Sequence, residues 1–206
     1  MDFDIIPLAN MRKIILASKS PRRKRLLENI GLQFKIVPSN INENIASSSP
    51  REYAENLSLR KARKVAQKYK DAIIIGADSI VVFKGEIIGK PSSVRNAREI
   101  LRKLSGKKHL VITGFTVLDS KTNKSETKSV LSKVVFKKLT EKEINEYVKS
   151  REPMGKAGAY AVQERASVFI KKIEGDFFNI VGLPVFSLCR VLQKFGINIT
   201  ENWKSV

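Results

Sequence analysis

The sequence predicts a mixed α/β fold, and three observations carry that prediction. Short apolar runs rich in Ile and Val recur along the chain, at lengths that suit strands. Segments with helix-starting and helix-stopping residues lie between them. Turn residues also join some strands directly. Such hairpins argue for a mixed sheet rather than a regular, all-parallel doubly wound one.

The elements follow in order. Residues 13–17 form a β-prone run that stops at Ser18-Lys19-Ser20. Ser20 is an N-cap and Pro21 suits the first helical position. The helix runs to about Ile30, with Gly31 as its left-handed cap. A strand at 33–37 and a polar loop at 38–49 come next. Ser49-Pro50-Arg51-Glu52 reads as a capping box with proline at the first helical position. It opens a helix with Tyr53, Ala54, Leu57, Ala62, Val65, Ala66 and Tyr69 on its apolar face. Residues 72–83 are β-branched and nearly all apolar, the pattern of a strand buried on both sides; Gly76-Ala77-Asp78 interrupts it. Lys84-Gly85 turns the chain into 86–88. A helix at 94–104, strands at 109–118 and 128–138 around a turn at 120–123, and a second capping box, Thr140 to Glu143, follow. Residues 151–160 read as irregular, 167–173 as a strand, 175–183 as a loop and 184–195 as a last helix capped by Gly196. Trp203 reads as a packing anchor.

Bulk properties set limits on function. The 206 residues suffice for one substantial core, and residues 1–206 read as one unit. No apolar run approaches the roughly 20 residues of a membrane span. The first residues, MDFDIIPLANMRK, carry two acids where an export signal carries positive charge, so a cytoplasmic location is expected. The lone Cys189 excludes an intramolecular disulfide and a cysteine-based zinc site, and it reads as a small hydrophobe. Thirty-nine Lys and Arg against twenty Asp and Glu give a net charge of +19, which favours anionic partners. Nucleotides, nucleic acid and simple solubility all fit that charge, because the basic residues are spread through the chain.

Three places carry candidate chemistry. Ser18-Lys19-Ser20-Pro21-Arg22-Arg23 joins a strand to a helix N-terminus, where N–H groups and the helix dipole favour an anion. Arg22 and Arg23 oppose that dipole unless a polyphosphate is bound; the alternative is an ordinary Ser-Pro cap with solvated arginines. Asp78 is an acid within an apolar strand, which makes it a candidate general base or metal ligand, or else a structural partner of a lysine or backbone group. Lys90, held between Gly89 and Pro91, suits a phosphate, though a surface role also fits. No Walker A loop and no Gly-x-Ser-x-Gly elbow is present. The single histidine, His109, has no ligand-spaced neighbours and reads as a packing residue.

These motifs, together with Gly76-Ala77-Asp78-Ser79, the stretch from Glu152 to Tyr160, Ile173-Glu174-Gly175 and the run from Asn179 to Pro184, resemble the Maf family of nucleotide pyrophosphatases. The resemblance spans about Ile14 to Gly196. It implies an elongated, curved sheet flanked by helices, two lobes with a nucleotide cleft between them, a homodimer, and a divalent cation, Mg²⁺ or Mn²⁺. It makes Asp78 the proton acceptor and sets Ser18, Ser20, Arg22, Arg23, Glu43, Lys61 and Lys90 around phosphates and metal, Glu43 on the metal side. Arg22, Ser79 and Gln163 fall at specificity positions, in a combination similar to the dTTP/UTP branch. The chain departs from the family's pattern at Ser79 (usually Thr), Asn42 and Gly155 (usually Asp), and Glu164 (usually Gly).

The expected reaction is hydrolysis of a nucleoside triphosphate to the monophosphate and pyrophosphate. Gln163 would read the base through its amide, with Ser79 or backbone groups as candidates for fixing the amide's orientation. The rivals are a pyrophosphatase for modified purine or 7-methyl-GTP nucleotides, and a nucleic-acid-binding regulator of cell division. No helix-turn-helix, zinc-finger or aromatic RNA-binding signature supports the last, and nucleic acid is not a required partner.

Overall fold

A computed structural model describes residues 12–203. The leader through Met11, on which the export-signal expectation rests, lies outside the described residues. In chain order the elements are β1 (Ile14–Leu16), α1 (Pro21–Asn29), β2 (Lys35–Ile36), α2 (Pro50–Ala66), β3 (Ile73–Phe83), β4 (Glu86–Ile88), α3 (Val94–Leu104), β5 (Lys108–Asp119), β6 (Ser125–Phe136), α4 (Glu141–Lys149), β7 (Ile170–Glu174), α5 (Phe177–Val181) and α6 (Val185–Gln193).

One mixed sheet holds all seven strands in the order β2-β1-β3-β5-β6-β7, with β4 also pairing with β3. β1 lies parallel to β2 and β3, the short parallel part. The pairings of β3 with β4 and β5, and of β6 with β5 and β7, are antiparallel; of these, β3–β4 and β5–β6 are hairpins. Helices cover both faces. Ile75, Ala77, Val81 and Phe83 of β3 join a large core with Leu26, Ala97, Ile144 and Leu188 from α1, α3, α4 and α6. The alternate residues Ile74, Ile80 and Val82 face α2 through Ala54, Ala62 and Val65. The expectation of two-sided burial for this strand holds, but Gly76-Ala77-Asp78 does not interrupt it; β3 runs through unbroken.

Glycines set how closely α2 approaches. A Cβ on Gly114 of β5 would lie 2.3 Å from the Ala54 carbonyl oxygen, and one on Gly76 would lie 2.2 Å from that of Ser58. The helix backbone therefore rests directly on the sheet, and Lys61 comes down beside Asp78. Ser58 Oγ reinforces the contact at 2.8 Å from Thr116 Oγ1.

Several boundaries differ from the sequence expectation. Residues 175–183 are not a plain loop: Asp176 accepts from Phe178 N (2.7 Å) and Asn179 N (3.2 Å) and caps the short α5. Five residues are too few for a helical period to show. The expected box at Ser49 is shifted, since Glu52 reaches back to Ser48 N at 2.8 Å rather than to the cap residue. The box at Thr140 and Glu143 is complete. β7 starts later than expected, because Arg165–Phe169 winds into a 3₁₀ helix first. Trp203 was expected as a packing anchor but is 62% exposed; a hydrogen bond ties it instead, its Nε1 donating to the Ile30 carbonyl at 2.9 Å.

Candidate active site

The site forms where β3 loses a neighbour. β1 pairs with Ile73, Ile74 and Ile75, and β4 with Val81, Val82 and Phe83. Among the described residues no strand pairs with the stretch between them on that side. Adjacent residues of a strand point to opposite faces, yet an open edge can be reached from both. Asp78 and Ser79 therefore meet one cleft of about 860 Å³. All ten residues singled out from the sequence line it: Ser18, Ser20, Arg22, Arg23, Glu43, Lys61, Asp78, Ser79, Lys90 and Gln163.

Its centre is an ion cluster. Lys61, 7% exposed, stands 2.6 Å from Asp78 Oδ1 and 2.6 Å from Glu43 Oε1. Lys90, largely exposed, adds a longer contact of 3.6 Å to Glu43 Oε2. The Tyr53 hydroxyl donates to the Glu43 carbonyl at 2.8 Å and ties that loop to α2. Burial works to raise the Glu43 pKa, but Lys61 and then Lys90 outweigh it, and the net shift is downward. Burying Asp78 beside an ammonium avoids the penalty of an unpaired charge.

The second wall is the N-terminus of α1. Ser20 caps the helix, and its own N–H donates to Ser18 Oγ at 3.2 Å. Arg23 is not solvated. Its Nε donates to the Gly182 carbonyl (2.8 Å), Nη1 to Ser18 Oγ (3.2 Å) and Nη2 to Ser79 Oγ (3.0 Å). It bolts the Ser-Pro loop to β3 and to the end of α5. Thr113 Oγ1 extends this network, 2.9 Å from both Ser79 Oγ and the Asn179 carbonyl. Arg22 is half-buried; burial lowers its pKa, and the charge of Glu164 works against that. Lys19, Arg22, Arg23, Lys61, Lys90 and Lys156 face only Glu43, Asp78 and Glu164 among the lining residues. The cleft is net positive, as a polyphosphate site requires.

The family model described as Maf-like protein matches residues 13–195 of this chain. The chain belongs to the Maf-like family. A Bacillus cereus (strain ATCC 10987 / NRS 248) protein named dTTP/UTP pyrophosphatase is 46% identical over 93% of this chain and 94% of its own length. A protein of the same name from Pelotomaculum thermopropionicum is 46% identical over 92% of this chain and 100% of its own. Among solved structures, the Staphylococcus aureus Ham1 protein has a TM-score of 0.44 at 13% identity over 60% of this chain and 71% of that one, a likeness too partial to bear on function.

The departures of this Maf-like chain have local explanations. Gly155 has φ +74° with open space around it, a left-handed conformation that glycine adopts without strain. Asn42 Oδ1 accepts from Asn44 N at 2.8 Å, the turn an aspartate would make there. Glu164 has ordinary extended backbone, φ −114° and ψ −154°, so no glycine is needed. The expectation for Gln163 needs correcting: its amide is met not by Ser79, whose hydroxyl is taken up by Arg23 and Thr113, but by Glu164, with Nε2 donating to Oε1 at 3.2 Å.

Among the described residues no group of three or more His, Cys, Asp or Glu side chains converges as a metal site. The donor chemistry nonetheless fits a hard cation that takes its other ligands from phosphate and water. Glu43 and Asp78 already converge on one cation, the Lys61 ammonium. Sequence reasoning missed Tyr53, Thr113 and the carbonyl of Gly182. Two of these act through the backbone or hold another side chain, and Thr113 is a polar residue fully buried in an apolar strand, the one signal that was available.

Proposed function

We propose that this Maf-like protein is a nucleoside triphosphate pyrophosphatase that cleaves dTTP and UTP between the α and β phosphates. The observation that carries the reading is the meeting of Asp78 with Lys61, Lys90, Arg22 and the N-terminus of α1 in one net-positive cleft. The name shared by relatives that align over nearly the whole chain supports the substrate.

Phosphoanhydride hydrolysis needs a base, an oriented water and neutralised phosphates. Lys61 holds Asp78 Oδ1. The other oxygen, Oδ2, takes the proton of the water that attacks the α-phosphorus, and pyrophosphate leaves. Lys90, Arg22, the hydroxyls of Ser18 and Ser20 and the first N–H groups of α1 bind the phosphate oxygens. Arg23 holds Ser18 and Ser79 in place for that task. Mg²⁺ or Mn²⁺, held by Glu43, supplies further charge neutralisation when bound. Arg22 and Gln163 read the base, and Ser79 acts on the same wall through Arg23. The reading places the enzyme in the cytoplasm. It also makes it a homodimer, supported by the exposed Phe177, Phe178 and Phe186 on α5 and α6.

Incubating the protein with UTP, dTTP, CTP, ATP and GTP plus Mg²⁺ or Mn²⁺ tests this. The expected products are UMP or dTMP with pyrophosphate, and chelation should abolish turnover. Direct release of orthophosphate and a diphosphate would overturn the reaction class, and a purine preference would overturn the substrate.

A further inference from the structure

Gln163 lines the cleft, and among the described residues its amide has one partner, whose chemistry leaves no ambiguity. Nε2 donates to Glu164 Oε1 at 3.2 Å. An ionised carboxylate only accepts, so only the NH₂ end of the amide can face it. The reversed amide would set its oxygen against the carboxylate. Glu164 is itself held. Its Oε2 pairs with Lys156 Nζ at 3.3 Å, and Lys156 Nζ also donates to the Glu152 carbonyl at 2.6 Å. The Glu152 carboxylate in turn accepts from the Tyr147 hydroxyl (3.0 Å) and from Arg165 N (3.3 Å). The chain of contacts runs from α4 to the cleft wall.

We infer that Glu164 is a positioning residue that sets base choice by locking the amide of Gln163 in one orientation. The inference rests on the reading of the protein as a dTTP/UTP pyrophosphatase. With its NH₂ turned to Glu164, Gln163 offers a ligand its carbonyl oxygen and one remaining N–H. Uracil and thymine present an N3–H donor beside a carbonyl acceptor, and both bonds form. Cytosine presents an acceptor at N3 and a donor at C4, so the same amide meets it with like groups, and flipping is blocked.

The test compares kcat/KM for UTP and CTP in wild type, Glu164→Ala, Glu164→Gln, Gln163→Ala and the Gln163→Ala/Glu164→Ala double variant. Freed of the carboxylate, the amide of the Glu164→Ala protein turns to suit either base. The UTP-to-CTP ratio should fall about tenfold, mostly through a lower KM for CTP. Glu164→Gln, which keeps the size but can also donate, should move the ratio the same way. In the Gln163→Ala background, removal of Glu164 should leave the ratio where Gln163→Ala alone puts it, because the effect passes through Gln163. An unchanged ratio in both Glu164 variants overturns the inference, as does a shift of equal size without Gln163. A wild type that treats UTP and CTP alike refutes the substrate reading itself, and shows it before any variant is made.

Discussion

At the residue scale, two buried groups are held by opposite means. Asp78 is buried within reach of an ammonium, Lys61 Nζ, which shares itself between Asp78 and Glu43. Asp78→Asn keeps the volume and the contact but removes the basicity. Turnover of UTP should fall by about 10²-fold or more, the usual cost of losing a general base, with an unchanged circular dichroism spectrum. Activity near wild type would return Asp78 to a purely structural role. His109 is buried with no charge beside it. Its Nε2 lies 2.8 Å from the Tyr160 hydroxyl and its ring stands edge-on to Phe136, while Nδ1 has no hydrogen-bond partner. Burial pushes its pKa down to about 4 from the ordinary 6.5. The unfolded chain then binds a proton more readily than the folded one, so stability is full above pH 6.5 and is lost as pH falls toward 4. Between pH 7 and pH 5 that loss comes to about 2 kcal/mol. Urea unfolding at the two pH values should show the drop in wild type and a much smaller one in His109→Gln. Equal slopes would mean that His109 keeps an ordinary pKa.

At the scale of elements, the decisive contact is α2 on β3 and β5. Side chains normally hold a helix off the sheet beneath it, and glycine under the helix removes that spacing. Gly114→Ala would force a methyl to within 2.3 Å of the Ala54 carbonyl oxygen, and the obstacle is backbone that cannot rotate away. The helix must lift, at a cost of about 2 kcal/mol or more. Because α2 carries Lys61, the lift also separates it from Asp78. Stability by urea unfolding and kcat should therefore fall together, whereas Gly85→Ala, strained at φ +84° but in a turn with open space around it, should cost stability and leave kcat intact. A folded Gly114→Ala protein of normal kcat would show that α2 adapts without moving the site. The 12-residue strands β5 and β6 were legible from their β-prone runs and the turn between them, to within three residues at either end. α5 was not, because its existence depends on one Asp176 side chain capping two N–H groups.

At the scale of the whole molecule, the net charge of +19 and the net-positive cleft act on the same ligand class. Association with a triphosphate should be steered by this field and weakened by screening. Raising NaCl from about 50 to about 300 mM should lower kcat/KM for UTP several-fold while kcat changes little. A flat kcat/KM would confine the charge to solubility. Nucleic-acid binding competes for the same charge, and competition by duplex DNA in the same assay would expose it. No helix of the described residues is long and apolar enough to cross a membrane.

Caps, turns and apolar runs depend on neighbours a few residues apart, which is why the order of strands and helices, and the chemistry-bearing motifs, could be read from the chain. The site depends on contacts between distant residues, such as Lys61 with Asp78 and Arg23 with Gly182. Local pattern carries no record of those. It also could not show that no strand of the described residues pairs with β3 between β1 and β4. That gap lets Asp78 and Ser79, on opposite faces, serve one cleft. The partner of Gln163 was its own chain neighbour, visible in the sequence. Only the fold, by holding Glu164 through Lys156 and Glu152, turned that adjacency into a fixed orientation.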